Sequence, residues 1–128
     1  MNDASDERLA IVLLDHGSRR TEANAQLDEL AKRVAARRTE AILRTAHLEI
    51  AEPALSHAIA DCVDSGATRI VVHPFFLSPG RHTTQDVPAQ IAVARARHPD
   101  VEIVQSEPLA LSDRLVDVVL ERIDETID

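Results

Sequence analysis

Residues 9–20 read LAIVLLDHGSRR, six apolar residues running straight into six that are polar, charged or glycine. A continuous apolar run of this length suits a strand buried on both faces, as in a parallel sheet covered by helices on either side. The break at Asp15 marks the exit of the strand, and Gly17 with its charged neighbours marks a loop. From Thr21, a candidate N-cap, the apolar residues Ala23, Leu27, Leu30, Ala31 and Val34 recur at helical spacing.

The same strand–loop–helix unit recurs along the rest of the chain. Ala41–Ile50 (AILRTAHLEI) fits a second strand, less apolar than the first. Pro53 then opens a helix with Leu55, Ala58, Ile59, Cys62 and Val63 on one face and Gly66 as its stop. Thr68–Val72 is the third strand. A helix capped by Thr84 or Asp86 runs to about Arg97, where Pro99 prevents its continuation. Val101–Val104 is a short fourth strand, and Leu111, Leu115, Val118, Val119, Leu120 and Ile123 line a last helix. The order βαβαβαβα predicts an α/β fold, a four-stranded parallel sheet flanked by helices, with residues 1–128 as one domain.

Composition narrows the function. With 14 Lys and Arg against 22 Asp and Glu, the formal charge is 14 − 22 = −8. Nucleic acid is therefore a poor partner, since phosphate recognition needs a basic face. Cys62 is the only cysteine, which excludes an internal disulfide, a Cys-rich zinc site and a chain-ligated iron–sulfur cluster. The N-terminal stretch has no basic leader, and its apolar run is far short of the ~18 residues of a membrane span. A cytoplasmic location, no membrane association and an aliphatic core are expected, because the chain holds two Phe and no Trp or Tyr.

In an open parallel sheet the strand ends that bind ligands share one edge. Three exits meet there: Asp15-His16-Gly17-Ser18-Arg19-Arg20, then His47-Leu48-Glu49-Ile50-Ala51-Glu52, then His73–Pro88 (HPFFLSPGRHTTQDVP). Two imidazoles and at least one carboxylate should converge on this rim, a donor set for Fe, Co, Ni or Zn. No single spacing here is a metal motif, and each residue has a plainer reading. His16 could simply bond a turn, and Glu49 could be a solvated strand-end acid. Phe75 and Phe76 suit the core, and one of the two is expected there. His47, His57 and His98 have weak cases as ligands. Gly17-Ser18-Arg19 could cradle a phosphate at a helix N-terminus, but neither a dinucleotide fingerprint nor a P-loop lysine accompanies it.

Taken together, DHGSRRTEAN, HLEIAEP and HPFFLSPGRHTTQDVP, in this order and separation, resemble the short class II chelatases of tetrapyrrole synthesis, the sirohydrochlorin ferrochelatases and cobaltochelatases. The resemblance runs from about Ile11 to the last helix. It implies a chelatase-like domain equivalent to half of the longer two-lobed enzymes, and a homodimer. It implies His16, His82 and Glu49 as catalytic and metal-binding residues. The metal is then a substrate, Fe2+ or Co2+, with Ni2+ acceptable to the same donors, and no organic cofactor is needed. The route would be that of siroheme or of cobalamin.

Insertion of a divalent ion into a free-base macrocycle displaces two N–H protons. Imidazole can hold such ions reversibly and can accept a proton near neutral pH. On this reading His16 and His82 hold the ion above the ring, and Glu49 neutralises charge or relays protons. Pro79 and Gly80 would turn His82 back over the strand ends. Phe76 with Phe75 and Leu77 offers an apolar wall, while Arg81, with Arg19 and Arg20, pairs with the substrate's peripheral carboxylates, and Ser18 and Gly80 are further substrate contacts. A non-catalytic metal or tetrapyrrole carrier would use the same rim, and a phosphate-binding α/β domain would use the Gly17 turn without His82.

Overall fold

The computed structural model describes residues 7–78 and 80–127, with the side chains of residues 82 and 83 outside the described set. Leu9–Asp15 forms β1, which lies inside a parallel sheet of order β2-β1-β3-β4. On one side it pairs with β2 (Ile42–His47), Ala10 opposite Ile42 through Asp15 opposite His47. On the other it pairs with β3 (Arg69–Pro74), Leu9 opposite Arg69 through Leu14 opposite Pro74. β4 (Glu102–Gln105) closes the far edge against β3.

The unbroken apolar run of β1 has a direct cause. Side chains alternate across a strand, and both faces of this one are covered. Ala10, Val12 and Leu14 enter a larger core with Leu55, Ala58, Ile59 and Cys62 of α2 (Leu55–Asp64) and Val87, Ile91 and Ala94 of α3 (Val87–Arg97). Ile11 and Leu13 enter a smaller one with Leu27 and Ala31 of α1 (Thr21–Arg37). Each fully buried aliphatic side chain contributes about 1.5–3 kcal/mol, so β1 is the strand that holds the two layers together. Cys62 is part of the larger core, and burial pushes its thiol up to about 11 against the opposing pull of Arg44. It is therefore protonated at neutral pH.

The elements follow the expected order, with differences at their ends. β2 stops at His47, so Leu48–Ile50 is loop and Glu49 is freed from the strand. β3 runs two residues further than expected, through His73 and Pro74. Thr21 begins α1 instead of capping it; the residue at the N-cap is Arg20, which makes no side-chain cap. α2 starts at Leu55, two residues past Pro53. One π-helical turn, His82–Asp86, leads into α3, whose first turn holds Pro88. Asp86 makes no cap bond there, and Thr84 donates its hydroxyl back to the Gly80 carbonyl at 2.8 Å.

The last helix, α4 (Asp113–Ile127), falls where the apolar spacing placed it. Leu115, Val116, Val119, Leu120, Ile123 and Ile127 form a stripe at helical spacing, yet none of its described residues is buried. The larger core lies on the opposite side of the sheet from α1, and α1 packs mainly on β2 and β1. Val71 of β3 and Val104 of β4, paired with each other, belong to neither core cluster. The apolar face of α4 is thus exposed, while Val71 and Val104 on the sheet are half-buried.

Candidate functional site

From β1 the chain moves outward to β2, and from β3 it moves the opposite way to β4. The loops leaving β1 and β3 therefore diverge, which opens a crevice at the carboxyl ends of these neighbouring strands. His16–Arg20 leaves one side of this crevice and Phe75–Arg81 leaves the other, with Leu48–Pro53 following β2 on the flank.

Pairing between β1 and β2 does not stop with the strands. The Leu48 N–H donates to the Asp15 carbonyl at 2.8 Å, and the Glu49 N–H donates to the His16 carbonyl at 3.1 Å. The two loops are thereby zipped together for another step. Gly17 makes the closest approach, with φ of +96°; a Cβ built on it would sit 1.9 Å from the Glu49 carbonyl oxygen. Only glycine tolerates both that angle and that contact. The result is a short link between His16 Nε2 and Glu49 Oε1, 2.7 Å apart, in side chains 43% and 56% exposed. Solvent, and so a hydrated ion, can reach both atoms.

An imidazole nitrogen and a carboxylate oxygen at this spacing are close to a chelating bite. Bonds of about 2.0–2.2 Å to one ion put two adjacent donors about 3 Å apart. Among the described residues no three His, Cys, Asp or Glu side chains form a metal-holding group. The third expected donor, His82, begins the π-helical turn at the far side of the β3 loop, and its side chain lies outside the described residues.

The remaining expected residues are placed as follows. Ser18 is half-buried; its hydroxyl oxygen accepts from the Arg20 N–H at 3.0 Å. Arg19 and Arg81 are exposed, and Arg20 pairs with Glu22 at 3.3 Å. Phe75 is 39% exposed and Phe76 is half-buried, so the expectation that one of them fills the core is corrected. Ile70 and Val72 of β3 and the helical aliphatics already fill that space. The expected need for glycine at position 80 is also corrected: a Cβ there meets nothing within 4 Å. Pro79 lies outside the described residues.

Several functional contacts escaped sequence reasoning. Asn24 closes the first loop, accepting from the Ser18 N–H at 3.0 Å and donating to the Ser18 carbonyl at 2.8 Å. His47, read as a weak candidate, is buried and bonds Asp15 through Nδ1 at 2.5 Å. Its register opposite Asp15 was the signal, but only a known strand pairing makes it visible. His73 bonds Ser106 at 2.8 Å, and burial holds it below the ordinary imidazole range despite an opposing backbone bond at Glu107.

These features define an α/β domain of the doubly wound type with an accessible imidazole–carboxylate pair at its topological switch point. A family model described as CbiX matches residues 10–126, and the chain belongs to that family. It is 42% identical over 113 residues to the chloroplastic sirohydrochlorin ferrochelatase of Arabidopsis thaliana, covering 88% of this chain and 50% of that protein. It is 31% identical to the sirohydrochlorin cobaltochelatase of Methanocaldococcus jannaschii, covering 88% of this chain and 96% of that one. The crystal structure of the sirohydrochlorin chelatase of Bacillus subtilis subspecies spizizenii, in complex with cobalt, superposes with a TM-score of 0.87 at 29% identity, over 92% of this chain and 50% of that one. The chain thus spans about half the length of the ferrochelatase and of the cobalt-bound chelatase it matches.

The Gly17 contact generates a direct prediction. Gly17→Ala must move the Glu49 backbone or accept a strained angle, and is expected to lower stability by at least about 1 kcal/mol in urea denaturation. An unchanged midpoint would contradict the close approach.

Proposed function

We propose that this chain is a chelatase that inserts a divalent metal, Fe2+ or Co2+, into sirohydrochlorin, for siroheme or cobalamin synthesis. The observation that carries the reading is the His16–Glu49 pair, open to solvent at the switch-point rim. Its support is membership of a family whose relatives are named as ferrochelatases and cobaltochelatases.

The reaction is M2+ plus the free-base macrocycle giving the metallated ring and two protons. His16 takes the incoming ion on Nε2, with Glu49 supplying negative charge beside it, and His82 is the second imidazole. Water leaves the ion as these donors replace it. As the ion passes to the ring nitrogens, the vacated imidazole nitrogens and the Glu49 carboxylate become bases for the two displaced protons. The exposed guanidinium groups of Arg19 and Arg81 pair with the substrate's carboxylates, offsetting locally a chain charge of −8. Ser18, Phe76 and Gly80 line the approach to the ring.

Two copies act together in this reading. A macrocycle is wide relative to the rim of a four-stranded sheet, and one lobe covers one of its faces. The uncovered stripe of α4 supplies the apolar contact for a second copy. A relative of matching length, the archaeal cobaltochelatase, supports a chelatase of one-lobe chains. No described helix is long and apolar enough to cross a membrane.

Spectrophotometric insertion assays with sirohydrochlorin and Fe2+, Co2+ or Ni2+ test the activity. Wild-type protein should accelerate at least one insertion, and His16→Ala or His82→Ala should reduce it by 100-fold or more, about 2.7 kcal/mol. Ion binding without turnover would replace the enzyme by a carrier, and full activity in either variant would remove the assigned roles. Light scattering should give a dimer at micromolar concentration, and Leu120→Glu in α4 should give monomers. A monomeric wild type would overturn the two-copy reading.

A further inference from the structure

His47 is the sole buried side chain among the described residues that is polar or charged. Its Nδ1 lies 2.5 Å from Oδ1 of Asp15, its register partner on β1, and the half-buried carboxylate accepts the Nδ1 hydrogen. Stability alone gives a poor account of this arrangement. Taking an imidazole and a carboxylate out of water costs desolvation that an aliphatic residue of similar volume would avoid. The strands are already paired by their backbones here. What the side-chain link adds is a fixed distance and rotation between the two strand tips.

Those tips carry the rim pair. His16 follows Asp15 by one residue, and Glu49 follows His47 by two. Three further ties converge on the same point: the Leu48 N–H on the Asp15 carbonyl at 2.8 Å, the Pro53 carbonyl accepting from the His47 N–H at 2.9 Å, and Gly17 packed on the Glu49 backbone, where a Cβ would also come within 3.2 Å of the His47 Cβ. His47 is thus the hub between the first loop, the second strand and the return of the second loop.

We infer that the Asp15–His47 pair is a positioning device, locking the ends of β1 and β2 in the one arrangement that brings His16 Nε2 to Glu49 Oε1. This rests on the chelatase reading, in which those two atoms meet the incoming ion. Neither Asp15 nor His47 touches the ion; both act through the backbone that carries its donors.

The test uses Co2+ as probe, read by its d–d absorption and by titration calorimetry, so that it does not depend on turnover. His47→Leu should fold, by circular dichroism, but bind Co2+ about 10- to 100-fold more weakly, with a changed absorption spectrum. His47→Asn places an amide nitrogen near the position of Nδ1 and should restore affinity to within a few-fold of wild type. His47→Gln, whose amide reaches past that position, should not. Should the leucine variant fail to fold, the Asn and Gln variants carry the comparison, and equal affinities for the two would overturn the inference. Wild-type affinity and spectrum in His47→Leu would overturn it too, leaving the chelatase reading in place. A wild-type protein that binds no Co2+ would remove both.

Discussion

Parallel pairing between β1 and β2, carried one step beyond the strands, is the constraint on which the rest depends. A parallel ladder fixes the relative height of two chains that are far apart in sequence. Here it sets Asp15 against His47, and the next two backbone bonds set the His16 turn against Leu48 and Glu49. Had β2 continued straight to Ile50, its alternation would have committed Glu49 to one face of the sheet. Ending at His47, it releases Glu49 to meet the imidazole from β1. Gly17 makes the approach sterically possible, and burial of β1 in two cores makes it rigid.

Rigidity below and exposure above are consistent requirements for an ion-transferring rim. The donors must keep their spacing while the hydrated ion sheds water, yet they must release it afterwards. On the proposed function, a pair about half open to solvent, mounted on strands whose cores are buried, suits both demands. The link from His47 to Asp15 lies between these two regimes, at the level where the sheet ends and the loops begin.

Much of the layout was legible in the amino-acid order because its signals are local. LAIVLL announces a strand covered twice, and from Ala10 to Leu14 its residues alternate between the two cores, with Leu13 and Ile11 in one and Ala10, Val12 and Leu14 in the other. The helical spacings of α1 and α2, and the stop after Arg97, follow equally from nearby residues. What stayed hidden depends on contacts between distant segments. The early end of β2, the need for glycine at 17 and the Asp15–His47 bond all follow from how two strands align in space. The α4 stripe shows the other limit: periodicity reports an apolar face but not what covers it, and both core packing and an interface fit the same spacing until the structure shows the face exposed. The two phenylalanines misled, since composition favours the core and the aliphatic residues had already filled it.

The central claim is that His16 and Glu49 act as one unit on a divalent ion, and a double-mutant cycle on Co2+ affinity tests it most directly. His16→Ala, Glu49→Ala and the double variant should give a coupling of at least about 1 kcal/mol, because each donor is worth more when the other shares the ion. Losses that add to within about 0.3–0.5 kcal/mol would mean that the two side chains meet each other but no common ion.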